Sequence, residues 1–215
     1  MRHTPTGASP GLFKTATPPT LSYAARVIDD ALIVVGSGGT IARLTLVDLT
    51  HDSAFGATGS LVVEATTTLQ DVVRDAQGRF VVSGLSASNA LFLARVTASG
   101  AADATLPLVT STFTAKPVAR PRCSSAFEPY CSDMPSAGRL ALQADGYILQ
   151  AAQVDDAGAT KCILARYTPT GQLDTSFGQG GTSTVPIPGC VARRVSIAPD
   201  GRILISGQLV VRVWG

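Results

Sequence analysis

One pattern recurs along this chain, and it limits the fold more than any single residue does. Asp200-Gly201-Arg202-Ile203-Leu204-Ile205-Ser206-Gly207 aligns with Gln77-Gly78-Arg79-Phe80-Val81-Val82-Ser83-Gly84. Looser copies are Asp145-Gly146-Tyr147-Ile148-Leu149 and Asp29-Asp30-Ala31-Leu32-Ile33-Val34-Val35-Gly36. A second block follows, clearest as Arg166-Tyr167-Thr168-Pro169-Thr170-Gly171 and then Leu173-Asp174-Thr175-Ser176-Phe177-Gly178. Its echoes are Arg95 with Gly100 and Asp103, and Arg43 with Asp52 and Phe55-Gly56. Self-similarity at a period of about 50 residues marks solenoids, propellers or arrays, in which each unit buries its apolar face against a neighbour.

Each unit divides into two hairpins. An alternating stretch such as Val191–Ile197 reaches Asp200-Gly201 and returns as Ile203-Leu204-Ile205. Gly supplies a positive φ at the turn without a Cβ clash. In the first copy Asp30 takes the Gly register, and Asp is among the few other residues that tolerate this conformation. The second hairpin rises through Cys162–Tyr167, turns at Thr168-Pro169-Thr170-Gly171 and returns through Thr182–Val185. Four short strands per unit predict an all-β sandwich or propeller, and no stretch carries a helical apolar stripe. The units are 21–66, 67–115, 137–189 and 190–215, within one repeat domain spanning 1–215. The fourth lacks its last strand, while 1–20 carries Arg2, Gly7 and Phe13 at the spacing of Arg166, Gly171 and Phe177. The expectation is a β-propeller of about four four-stranded antiparallel blades, its ring closed by pairing 8–20 with 208–215. Arg2 and Arg212 compete for the third-strand arginine of that shared blade. An insertion, 116–136, interrupts the period, and its four prolines exclude a regular element.

Charge excludes one class of partner. Only 15% of the 215 residues are charged and the net charge is +2, which gives no electrostatic case for nucleic acid. No segment approaches the ~18–20 apolar residues of a membrane-spanning helix. Met1-Arg2-His3-Thr4-Pro5 is followed by no hydrophobic run, so no signal peptide is visible.

Ala165-Arg166-Tyr167, Gly171, Leu173-Asp174, Phe177-Gly178 and Gly180-Gly181, with 198–207, resemble the delta-60 repeat family. Leu106, where that pattern has Phe, and Ala152, where it has Gly, are departures. The resemblance covers nearly the whole chain outside 116–136. It implies propeller blades in a bacterial secreted or surface-associated protein, and it implies no particular activity.

The repeated arginine–aspartate pairs are expected to brace each turn, because scaffolding recurs in every unit whereas a site occurs once. Phe-Gly is expected to anchor blade packing. The histidines, His3 and His51, assemble no catalytic triad or zinc site. Asp29-Asp30 and Asp155-Asp156 lack the alternate-residue spacing of a calcium loop, and no helix follows Gly36-Ser37-Gly38-Gly39 to present amides to phosphate. The first strands, represented by Leu140-Ala141-Leu142 and Val195-Ser196-Ile197, offer mainly small and apolar groups to a central channel. Cys123, Cys131, Cys162 and Cys190 all fall at the rim that carries the loops between the two hairpins of each unit and the unit-to-unit links, opposite the hairpin turns. Of three possible connectivities, Cys123–Cys131 and Cys162–Cys190 are the expected disulfides, which implies an extracellular or periplasmic address. Free buried cysteines in a cytosolic protein are the competing reading. Loops vary on the same rim: Asp30 to Arg43, Gly78 to Arg95, Gly146 to Arg166 and Gly201 to Arg212 span 13, 17, 20 and 11 residues. There the insertion adds Arg120, Arg122, Phe127, Glu128 and Tyr130, a basic and aromatic set suited to a glycan or a peptide. The expectation is a non-enzymatic extracellular binding or scaffold module without a cofactor. The alternatives are a polysaccharide or cell-wall hydrolase or lyase using the channel, and a structural fragment of a longer repeat array.

Overall fold

The computed structural model describes residues 22–115, 138–156, 159–185, 190–206 and 210–213. They form β-strands without any helix. Sheet 1 contains β1 (Ser22–Ile28), β2 (Ala31–Gly36), β3 (Thr40–Thr45) and β4 (Ser60–Val62). Sheet 2 contains β5 (Thr68–Arg74), β6 (Phe80–Leu85), β7 (Ala90–Val96) and β8 (Val109–Thr114). Sheet 3 contains β9 (Arg139–Leu142), β10 (Ile148–Asp156), β11 (Ala159–Tyr167) and β12 (Thr182–Val185). Sheet 4 contains β13 (Arg194–Ile197), β14 (Ile203–Ser206) and β15 (Val210–Val213). In every sheet the strands meander in chain order, each antiparallel to the next.

Three of the four first hairpins share one turn. In sheet 2 the Gly78 amide donates to the Asp75 carbonyl and the Asp75 amide to the Arg79 carbonyl, with Gly78 at φ 81°. Gly146 and Gly201 repeat the arrangement at φ 87° and 82°. This is a reverse turn closed by a left-handed glycine, one residue wider than a two-residue hairpin. Sheet 1 departs from it and from the sequence expectation. Ile28 pairs directly with Ala31, so two residues make the turn, and Asp29 rather than Asp30 takes the positive φ, 52°. The loop is shorter than its copies, which moves the left-handed position forward.

The Ser-Gly ending of the motif also has a local cause. A bulge at Gln70 shifts the β5 register between Leu69 and Asp71. It presses the Thr68 carbonyl to 1.9 Å from where a Cβ on Gly84 would lie. Sheet 3 tolerates Ala152 at the matching position because β9 stops opposite Ala151.

The sheets stack face to face through alternating side chains. Phe80 and Val82 of β6 join Ile33, Val35 and Phe55 of sheet 1, while Val81 faces Leu140 and Ile148 of sheet 3. Leu149 and Ala151 of β10 turn the other way, to Val195 and Ile205 of sheet 4. A middle strand is thus covered on both faces, and all six residues of β6 are buried. Phe55, Leu106 and Phe177 occupy equivalent sites in three sheets and are no more than 2% exposed, so leucine fills the aromatic position without opening it.

The first strands lie side by side, β1 against β5, β5 against β9 and β9 against β13, forming the hub of an arc. Arg212 stands opposite Leu204, the register that Arg43, Arg95 and Arg166 hold against Ile33, Val81 and Leu149. It therefore takes the third-strand arginine slot for which Arg2 competed. Residues 1–20, expected to close the ring, lie outside the described residues, as do Trp214 and Gly215.

Candidate functional site

The recurring polar residues are consumed by the scaffold. In each of sheets 1 to 3 the aspartate after the third strand folds over its own turn. One oxygen of Asp52, Asp103 and Asp174 accepts the backbone amide of Ala54, Thr105 and Ser176. The other oxygen takes the arginine: Arg43 at 2.8 Å, Arg95 at 2.8 Å and Arg166 at 2.6 Å. The arginine then reaches the next sheet. Arg95 Nη1 donates to the Pro169 carbonyl at 2.9 Å, and Arg43 Nη1 approaches the Ala98 carbonyl at 3.5 Å. Arg166 instead packs over Phe177, 4.6 Å from the ring centroid. The Thr105 hydroxyl bond, followed by its amide and Arg95, holds Asp103 down to about 2 against a smaller desolvation effect. Ser176 and Arg166 likewise lower Asp174.

Polar chemistry unlike this repeat gathers at the hub. Asp71 of β5 is buried, with a side chain 4% exposed. It accepts Arg26 Nε at 3.0 Å and Arg26 Nη2 at 2.7 and 3.0 Å from β1. It also accepts its neighbour's amide, Val72, at 2.9 Å and the Leu140 amide of β9 at 3.0 Å. One carboxylate thus ties three sheets together. Beside it, Arg139 Nη1 donates to the Gln70 carbonyl at 3.0 Å, while Arg139 Nε is buried with no acceptor among the described residues. Burial lowers the Arg139 pKa, with Arg26 and Arg193 adding to the shift and Asp71 opposing it. Arg139 and Arg194 hold the register of Asp71, and Arg193 precedes Arg194 at the linker end of β13. This corrects the expectation of small and apolar first strands. The charges, Arg139, Arg193 and Arg194, sit just before Leu140-Ala141-Leu142 and Val195-Ser196-Ile197, the residues that represented those strands.

Two clefts lie between sheets 2 and 3. One of about 560 Å³ runs between Val109–Thr114 and the second turn of sheet 3, with Phe113, Tyr167 and Leu173 among its walls. The Tyr167 hydroxyl donates to Gln150 Oε1 at 3.2 Å, and Gln150 Nε2 donates to the Phe92 carbonyl at 3.2 Å. Burial pushes Tyr167 up to about 12, partly opposed by a bond with Ser111. The other cleft, about 270 Å³, is lined by Arg79, Asp75 and Arg95, whose charges pair with one another and with Asp103. No group of three His, Cys, Asp or Glu that could hold a metal occurs among the described residues.

At the opposite rim, Cys162 and Cys190 form a disulfide with Cα atoms 5.7 Å apart. The bond clips β11 to the link entering sheet 4. It lies deeper than the rim argument placed it, because β10 and β11 run past Cys162 to Asp156 and Ala159. Both cysteines are buried among Leu164, Val185, Ala192 and Val195. Cys123 and Cys131, with Arg120, Arg122, Phe127, Glu128 and Tyr130, lie outside the described residues.

Residues 143–177 match the family model of a β-propeller domain of unknown function, DUF5122. A comparison with curated proteins finds no match. Among solved structures, a protein of unknown function from Bacteroides caccae is similar at 15% identity, with a TM-score of 0.45, over 81% of this chain. The chain spans 49% of that protein's length. The described residues are all-β in antiparallel sheets, and the propeller-type match falls on residues 143–177. No described helix is long and apolar enough to cross a membrane.

Proposed function

We propose that this chain is a non-enzymatic binding or scaffold module working in an extracellular or periplasmic setting, and that ligands meet it on the rim of between-hairpin loops and sheet-to-sheet links. The observation that carries this reading is the engagement of the recurring Arg, Asp and Phe residues within the scaffold, which leaves variation to the loops. A rigid frame with variable loops on one rim is where binding residues concentrate. The disulfide on that side supports an oxidising compartment. In this reading 1–215 is one repeat domain of about four blades, completed by the N-terminal segment. The insertion supplies Arg120, Arg122, Phe127, Glu128 and Tyr130 to a glycan or peptide ligand, and a Cys123–Cys131 bond orders it. The hydrolase alternative needs an accessible hub carboxylate, whereas both oxygens of Asp71 are engaged by Arg26 and backbone amides.

Glycan and peptide arrays probed with the purified chain test the proposal. Saturable binding to one class is expected. It should be lost when Arg120, Arg122, Phe127 and Tyr130 are replaced together by alanine at an unchanged melting midpoint. Undiminished binding by that variant would remove the insertion from the site, and turnover of an arrayed glycan would overturn the non-enzymatic reading.

A further inference from the structure

One junction between sheets lacks a piece that the others carry. In sheets 1 and 3 a short turn follows the buried aromatic, 56–59 after Phe55 and 178–181 after Phe177. The Gly59 and Gly181 amides close it by donating back to the Phe55 and Phe177 carbonyls. The third-strand arginine amide then donates to the end of that turn, from Arg43 to the Gly59 carbonyl and from Arg166 to the Gly181 carbonyl. In sheet 2 the Arg95 amide donates to the Leu106 carbonyl itself, so the turn is missing and β8 follows at once. Sheet 1 uses its turn to meet sheet 2, with the Gly56 amide donating to the Ser99 carbonyl at 2.8 Å. Sheet 2 has Pro107 at that position, which has no amide hydrogen to give to the second turn of sheet 3. The contact there is looser. A Cβ on Gly100 would lie 2.4 Å from the Gly56 nitrogen, whereas one on the matching Gly171 would meet nothing nearer than Leu106 Cγ at 3.0 Å. The cleft of about 560 Å³ opens where the turn is missing.

Half-buried Val109 and Phe113 and buried Tyr167 line this cleft, together with the exposed Thr110, Thr170 and Gln172. Phe113 joins the wall through a bulge in β8. Phe92 pairs with Thr110 but Ala90 with Thr114, and the Phe113 amide donates to Ser111 Oγ at 3.2 Å. Bulges re-aim side chains in this way, often beside a site. None of the described residues lining the cleft is charged, so a charged ligand would lose water there without meeting a counter-ion. The volume falls within the ~300–1,000 Å³ of ligand pockets. We infer that the cleft between β8 and the second turn of sheet 3 binds an uncharged molecule of one or two rings. Its apolar body packs on Val109, Phe113 and Tyr167, and a neutral hydroxyl or N–H group meets Thr110 or Gln172. The site goes beyond the rim reading, because the second turns lie at the rim opposite the insertion.

Isothermal titration of the full chain with indole, p-cresol, benzoate and glucose at neutral pH is the test. Indole or p-cresol should bind saturably, one per chain. Benzoate, of similar size but charged, should bind about tenfold or more weakly, and glucose should not bind. Leu173→Trp and Thr110→Trp add bulk at exposed positions of the cleft wall, where folding does not depend on the side chain. Both should abolish binding at a melting midpoint close to the parent's. Val47→Trp, at a site 82% exposed on sheet 1, should leave it unchanged. Failure of both neutral probes to bind, equal affinity for benzoate, or cleft tryptophan variants that bind like the parent would overturn the inference. The two readings can fail separately: the insertion variant should keep indole binding, and the cleft variants should keep array binding.

Discussion

Asp71→Asn should be the most damaging isosteric change in the described residues. The side chain is 4% exposed and takes hydrogen bonds from donors on three sheets. An amide keeps one acceptor oxygen and replaces the other with an NH2 group, which points a donor at donors. If the remaining oxygen faces Arg26, the Leu140 amide loses its partner in a residue only 2% exposed. If it faces Leu140, the guanidinium is stranded. An unsatisfied buried amide costs about 1–3 kcal/mol, and breaking a buried ion pair from one side costs about 3–5 kcal/mol. Arg26 remains 32% exposed, so water relieves part of its loss and the total should fall near 3–4 kcal/mol. For a chain of this size that is roughly 6–16 °C in melting midpoint. Urea unfolding of the parent, Asp71→Asn, Arg26→Met and the double variant measures it. The double variant should recover part of the Arg26 loss yet stay about 1–3 kcal/mol below the parent, because the Leu140 amide still lacks its acceptor. A single-site loss under 1 kcal/mol, or additive effects in the cycle, would refute the three-sheet tie.

Arg95→Ala should destabilise by about 2–4 kcal/mol, since it removes a side chain 4% exposed that bridges Asp103 and the Pro169 carbonyl. Arg202→Ala, on an exposed turn, should leave the urea midpoint where it is. Replacing Cys162 and Cys190 by alanine should cost about 3–4 kcal/mol from the entropy of a loop of 28 residues, and thiol titration of the unfolded, unreduced chain should find these two unreactive. Asp103 and Asp48, both held near about 2 by hydroxyl hydrogen bonds, contribute stability that is complete above the unfolded value of about 4. It is lost as pH falls toward 2. Tyr167, raised to about 12 by burial, gives the reverse: stability complete below pH ~10 and lost as pH rises through about 12. Melting midpoints at pH 2, 4, 7, 10 and 12 should trace both limbs. A chain lacking residues 1–20 should aggregate or melt well below the parent if that segment closes the ring. An unchanged midpoint and a monomeric elution would exclude closure.

The scaffold was legible because it is local. Asp174 bonds its own turn two residues on and Arg166 across its hairpin, so a motif in sequence becomes a motif in space with little intervening chain. The same applies to Gly78, Gly146 and Gly201, whose positive φ follows from turn position alone. Asp29 departs because a hairpin two residues long obeys a different rule from its longer copies, and loop length cannot be read from an alignment that forces the copies into register. The depth of the Cys162–Cys190 bond was hidden for a related reason. The β10–β11 hairpin grows past Cys162, and how far two strands continue depends on pairing rather than on any signal residue.

The hub escaped a sequence reading because it depends on neighbours from other sheets. In a strand, one inserted residue exchanges inward and outward faces for everything beyond it. The bulge at Gln70 does this in β5 for Leu69 and Thr68, whereas Asp71 lies on the turn side of it and keeps the alternation counted back from the turn. Yet no window contains the partners, since Arg26, Asp71 and Arg139 lie 45 and 68 residues apart and meet only when three sheets share one axis. The registers do carry one usable sign. Asp71, Arg139 and Arg194 stand at the same pairing position before their turns, where a purely structural repeat would place one residue type. Scaffold positions in this chain repeat their chemistry from unit to unit, as Arg43, Arg95 and Arg166 do. A position that keeps its place but changes its charge takes its residue from the neighbours it meets across the hub, as Asp71 does with Arg26 and the Leu140 amide, and not from the repeat.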